Sequence, residues 1–125
     1  MTTFDSELRL ALRSARTVRI ETSAGAKLPV HEAIIWVVVD DAGRVLVRSW
    51  RGERGRWYRE VRANPTGTLR VGSRRVAIRA ELAADPERVE SCSRALRQKY
   101  ASARGSLAEM LVDEVRPTTL ELRPA

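Results

Sequence analysis

VLVRSW at Val45–Trp50, RGERG at Arg51–Gly55, RWYREVRANP at Arg56–Pro65 and TGTLRVG at Thr66–Gly72 form one continuous stretch whose reading decides the fold. A β-branched run leads into a basic loop with two glycines. A short helix carrying Trp57 and Tyr58 follows, Asn64-Pro65 ends it, and the chain returns as a strand. Positive charge, aromatic surface and backbone freedom coincide nowhere else to this degree, so a ligand site is expected here.

Upstream, AIIWVVV at Ala33–Val39 is apolar on both faces and β-branched, which predicts a strand covered on both sides at the centre of the sheet. Asp40-Asp41-Ala42-Gly43 predicts a hairpin into an antiparallel strand over 44–50. In that strand Val45, Val47 and Ser49 share one face and Leu46, Arg48 and Trp50 the other. Val18 and Ile20 alternate with Arg19 and Glu21, the pattern of a half-buried strand. Ahead of them Phe4, Leu8, Ala11, Leu12 and Ala15 recur at helical spacing behind Asp5, a capping residue.

Downstream, strands over 68–71 and 75–82 make a second hairpin about Gly72-Ser73. Asp85-Pro86-Glu87 starts a helix whose buried side is Val89, Cys92, Leu96 and Tyr100. A shorter helical piece over 106–112 precedes a closing strand over 118–123 with Leu120 and Leu122 inward. Six mainly antiparallel strands with short helices at the connections predict an α+β, mainly β, small barrel, because closure removes exposed sheet edges. One domain is expected over residues 1–125.

The chain is 43% hydrophobic and 31% charged over 125 residues, the composition of a soluble globular protein with one core. Its longest apolar run is far short of the roughly 18 residues of a membrane span. Met1–Ser14 holds Asp5 and Glu7 and lacks the layout of a secretory signal, so a cytoplasmic address and no membrane partner are expected. With Cys92 the sole cysteine and His31 the sole histidine, neither an internal disulfide nor a Cys/His zinc site can be assembled, and no metal is expected. The net charge is +7, but Arg44–Arg79 holds eleven arginines against Glu53 and Glu60, a local balance of +9 that leaves −2 elsewhere. A basic district on an otherwise near-neutral chain attracts anions.

Arginine binds phosphate through two parallel hydrogen bonds, glycine lets backbone N–H groups approach an anion closely, and a helix start near Gly55 adds partial positive charge. Trp57 reads as a packing anchor, while Tyr58 or Trp50 is placed to stack on a planar ring. His31 beside Glu32 is a candidate proton donor, set against the plainer reading of a surface histidine next to a turn. Cys92 reads as a small buried hydrophobe. There is no Gly-x-Ser-x-Gly elbow, no Walker loop and no carboxylate pair suited to glycoside chemistry. No catalytic residue is assigned, and an enzyme built on this chain borrows its reactive group from a cofactor.

Five elements in order, Val47-Arg48-Ser49, Arg51-Gly52, Arg56-Trp57-Tyr58, Ala63-Asn64-Pro65 and a strand ending Val71-Gly72, carry a resemblance to a known family. The run from Thr22 to Gly72 resembles the FMN- and deazaflavin-binding split β-barrel oxidoreductases, in particular the small deazaflavin-dependent nitroreductase-like proteins. The resemblance implies a six-stranded antiparallel split β-barrel and a homodimer with the cofactor ring at its interface. It implies FMN or deazaflavin (F420) lying along Arg48, Ser49, Arg51, Gly52, Arg56 and Trp57, with Tyr58 as a further contact, and hydride passed to a small organic acceptor. Two places differ. Ser23–Lys27 replaces a turn rich in glycine, arginine and lysine, and Glu60 replaces an asparagine after the tryptophan-tyrosine pair. The alternative is a non-catalytic module whose basic region and interleaved aromatics bind nucleic acid or another anionic ligand.

Overall fold

The structure, a computed structural model, describes residues 4–125. Asp5 caps helix α1 (Ser6–Ser14), its carboxylate accepting the Leu8 N–H at 2.7 Å, and Leu8 and Leu12 are buried. The chain continues through β1 (Val18–Ser23), β2 (Val30–Ile35), β3 (Val38–Val39) and β4 (Val45–Arg48) to a 3-10 turn (Gly52–Arg54) and helix α2 (Arg56–Ala63). Then come β5 (Thr66–Val71), β6 (Arg74–Leu82), helix α3 (Pro86–Lys99), helix α4 (Arg104–Glu109), a second 3-10 turn (Arg116–Thr118) and β7 (Thr119–Pro124). Both hairpin turns use a glycine at positive φ, Gly43 at 81° and Gly72 at 58°. Asp85 caps α3 by accepting the Arg88 N–H, with Pro86 in the first turn.

All seven strands form one antiparallel sheet in the order β2-β1-β5-β6-β7-β4-β3, curled into a half-barrel. That is one strand more than the six expected, and the extra one comes from Ala33–Val39. This run is neither one strand nor central: it breaks at Trp36-Val37 into β2 and β3, which lie at opposite edges of the sheet. The break is satisfied away from the ladder. The buried Val37 N–H donates to the Tyr100 hydroxyl at 3.2 Å, and the Val37 carbonyl accepts from Lys99 Nζ at 2.7 Å.

The apolarity of the run has two separate destinations. Ile35, Val37 and Val39 join Val45, Val47, Ile20, Leu69, Leu120 and Leu122 in the core inside the curl. Val38 and Leu46 point the other way, into a second cluster with Cys92, Leu96, Tyr100 and Met110 beneath α3 and α4. Each such buried side chain contributes about 1.5–3 kcal/mol. Two-sided coverage therefore holds for β3 and β4 but fails for β2, whose Val30 and Ile34 are 65% and 62% exposed. Burial pushes the Cys92 thiol up to about 11, so it packs as a neutral hydrophobe. Among the described residues no helix is long and apolar enough to cross a membrane, and no group of acidic, histidine or cysteine side chains is arranged to hold a metal.

Candidate functional site

Where the curl fails to close, a cavity of about 430 Å³ opens between β2, the end of β4 and the start of α2. That volume lies within the range of small-molecule sites. One wall is β2 itself. Among the described residues it pairs only with β1, and its consecutive residues His31, Glu32, Ala33, Ile34 and Ile35 all border the cavity, so an open strand edge runs along it. Trp36 and Met110 also border it. Trp57 from α2 and Trp50 from the loop after β4 supply further aromatic surface.

The loop after β4 is shaped by a small hydrogen-bond knot. Ser49 Oγ donates to the Gly52 carbonyl at 2.7 Å, the Gly52 N–H returns to the Ser49 carbonyl at 3.0 Å, and Gly52 takes φ +64°. Gly55 sits so close that a Cβ there would stand 2.5 Å from Ser49 Oγ. The knot delivers the chain into α2 with no side-chain cap, which leaves the first-turn N–H groups without intrahelical acceptors at the cavity rim. Arg51 and Arg56 flank this opening, exposed, and neither has a carboxylate partner among the described residues. Unsatisfied donors and two unpaired guanidinium groups thus meet beside three tryptophans.

Of the seven residues expected at the site, Arg51, Arg56, Ser49 and Trp57 line the cavity. Arg48 borders it but is committed elsewhere. It is 2% exposed, with Nε donating to Thr119 Oγ1, Nη1 to Ser93 Oγ and the Met110 carbonyl, and Nη2 to the Val89 carbonyl. Its fork is already engaged, so the phosphate contact expected of it is corrected to a structural tie between β4, β7, α3 and α4. Gly52 does not border the cavity, and its N–H is taken by Ser49. Tyr58 is 7% exposed and packs in the inner core, so of the two candidates for stacking, Tyr58 and Trp50, it is Trp50 that borders the cavity. Helical rotation explains this: α2 can turn only one side to the cavity, and Trp57 and Tyr58 point roughly 100° apart.

Glu60, Thr22 and His31 are brought together without any local signal in the sequence. Glu60 is 8% exposed; its Oε1 accepts from Thr22 Oγ1 at 2.7 Å and its Oε2 contacts His31 Nδ1 at 2.8 Å. Burial pushes the Glu60 carboxyl up, but the bonds from Thr22 and His31, with His31 and Arg56 nearby, outweigh it and hold the group below the usual carboxylate range. The β1–β2 register sets Thr22 opposite His31. Glu32, the neighbour first paired with His31, lies on the other face of β2, where Arg19 and Arg70 bind it at 2.8 Å each. The one sequence pointer to this group is Glu60 standing where the resembling proteins carry asparagine.

Residues 10–122 match the model of a family described as "Uncharacterized protein conserved in bacteria (DUF2255)". The chain belongs to this family. No curated protein matches the DUF2255 chain in sequence. Among solved structures it is similar to the protein Atu2129 from Agrobacterium tumefaciens, of unknown function, at 12% identity and a TM-score of 0.67 over 95% of this chain and 54% of that one. It thus spans about half the length of the Agrobacterium protein. HutZ, the heme storage protein from Vibrio cholerae, is 12% identical with a TM-score of 0.64 over 98% and 91% of the two chains. An F420-H2 dependent reductase, FDR-A, is 16% identical with a TM-score of 0.62 over 86% and 93%. At these identities the shared property is the fold.

Proposed function

We propose that this chain binds a phosphate-bearing planar cofactor, FMN or deazaflavin (F420), in the cavity beside β2 and passes hydride from it to a small organic acceptor. The observation that carries the reading is the convergence of Arg51, Arg56 and the uncapped start of α2 on a cavity walled by Trp57 and Trp36. Two guanidinium forks and free N–H groups suit a phosphate; a tryptophan face opposite an open strand edge suits a flat heteroaromatic ring. The fold shared with an F420-H2 dependent reductase supports the same reading. Such a cofactor would supply the hydride, while Trp57 and the β2 edge would orient its ring.

The same reading includes a homodimer. Val30 and Ile34 stand exposed on the outer face of an edge strand, with Leu28 54% and Trp50 57% exposed. Ile34 and Trp50 also border the cavity, so a second copy laid over them both covers apolar surface and closes the ligand site.

Fluorescence titration of the purified protein with FMN and with F420 tests the proposal. Binding in the micromolar class is expected, and Arg51→Ser or Arg56→Ser should each weaken it by about ten- to a hundredfold, the worth of one charge-assisted hydrogen bond. Absence of binding for both cofactors at about ten times a micromolar constant removes the oxidoreductase reading.

A second reading rests on a separate observation: Arg54, Arg59 and Arg62 are exposed along the loop and α2, outside the cavity, and have no carboxylate partner among the described residues. They would serve the nucleic-acid alternative. Oligonucleotide affinity falling steeply with added salt would favour it over the cofactor reading.

A further inference from the structure

The cavity is bordered by one imidazole, and that side chain is held from behind. His31 lies on β2 with its ring half-buried at the cavity wall, and Nδ1 is committed to Glu60 Oε2 at 2.8 Å. Glu60 is itself held by Thr22 Oγ1 at 2.7 Å, so both carboxylate oxygens are engaged and the imidazole plane is set by two strands and a helix. A carboxylate at Nδ1 keeps a proton on that nitrogen in the neutral ring. Nε2 is then the atom that gains and loses the exchangeable proton. A base oriented by a third group, beside a cavity able to hold a reacting atom, is the arrangement that general acid–base catalysis requires.

We propose that His31 is the proton donor to the acceptor bound in this cavity, with Glu60 as its positioning residue. This rests on the cofactor reading above and adds what that reading lacks, the source of the proton. The reduced flavin-type or deazaflavin cofactor is the two-electron reductant. As hydride adds to one atom of the acceptor's double bond, the π electron pair moves to the other atom, which takes the proton from Nε2. The donating ring is the imidazolium. The Nε2–H bonding pair stays on it, and it becomes neutral with Nδ1–H still bonded to Glu60. The cofactor is left oxidised by two electrons, and a hydronium ion from solvent returns the Nε2 proton. The other charged groups that border the cavity with His31 are Arg56 on α2, which also acts on Glu60, Arg51, the inward-tied Arg48, and Glu32 on the opposite face of β2, where Arg19 and Arg70 neutralise it.

Two measurements on the full chain decide the matter. In the cofactor-free protein, long-range ¹H–¹⁵N correlation of the His31 ring should show, for the neutral form, a proton on Nδ1 and a lone pair on Nε2. Glu60→Ala should abolish that preference, and Glu60→Gln, which keeps the side-chain shape, serves if the alanine variant does not fold. With reduced cofactor and menadione as probe acceptor, His31→Gln should lower the hydride-transfer rate by about a hundredfold or more and flatten its pH profile. Neutral His31 protonated on Nε2 in the wild type overturns the proposal. Cofactor binding and transfer that both survive His31→Gln at the wild-type rate remove the proton step alone. A wild type that binds neither cofactor removes the functional reading and the proton step together.

Discussion

Trp36 lies flat on Tyr100, the ring centroids 3.8 Å apart and the planes 2° from parallel. This stack joins the point where the sheet breaks to the end of α3. The Tyr100 hydroxyl accepts the Val37 N–H and donates to the Arg16 carbonyl at 2.9 Å, and Lys99 Nζ bonds the carbonyls of Leu12 and Val37. Trp36 borders the cavity with its ring stacked on Tyr100, so that part of the wall is tied to a helix terminus.

Tyr100→Phe keeps the stack and removes the hydroxyl, leaving the buried Val37 N–H without an acceptor. Urea unfolding should show a loss of about 1–3 kcal/mol with an unchanged denaturant slope. An unaltered midpoint would mean that water replaces the hydroxyl.

Arg48 is a buried cation whose partners are two hydroxyls and two carbonyls, with no carboxylate among them. Arg48→Met keeps the apolar stem but removes the guanidinium and so leaves those buried acceptors without their donor. A destabilisation of about 3 kcal/mol or more is expected by thermal or chemical unfolding. If Arg48 instead served the ligand, the variant would lose cofactor affinity at nearly full stability.

Asp40 anchors the β3–β4 hairpin to α3. Its carboxylate accepts from the Ala42 and Arg44 N–H groups, from Arg44 Nε at 2.8 Å and from Ser91 Oγ at 2.7 Å. Burial pushes the group up, yet the bonds from Ser91 and Arg44 outweigh it, so its folded value lies below the ordinary one. A depressed carboxylate contributes stability that is complete above the unfolded value, near pH 4, and is lost as the pH falls through the folded value. Melting temperatures between pH 3 and 7 should therefore fall on the acid side in the wild type. Asp40→Asn should be about 2 kcal/mol less stable at pH 7 and show a shallower acid limb.

Ile34→Glu places a charge on the exposed face of β2. The mass in solution should drop from twice to once the 14.0 kDa chain, measured by light scattering at micromolar concentration. A wild type that is already monomeric there would set the dimer aside.

Local chemistry was legible wherever one residue dictates a backbone state. Asp5 and Asp85 cap the helices they were expected to cap, and Gly43 and Gly72 turn the two expected hairpins. Val89, Cys92 and Leu96 are buried on α3 as its periodicity requires, joined by Ser91, Ser93 and Ala95, and Tyr100 is buried just past the helix end. The stretch around Ser49–Trp57 carries the glycines and charges that mark a ligand site, and five of the seven residues expected there, Arg48, Ser49, Arg51, Arg56 and Trp57, border the cavity.

The sequence by itself determined the elements, their caps and turns, and the concentration of arginine around Gly55, because each depends on neighbours within a few positions. Tertiary structure alone decided which faces of Ala33–Val39 are covered and that Arg48 is tied inward while Arg51 and Arg56 stay free. It alone brought His31 to Glu60, 29 positions away. Hydrophobic periodicity reports that a face is apolar and charge reports that a region is basic. Which partner each side chain meets depends on where the curled sheet stops closing, and no stretch of the chain records that point locally.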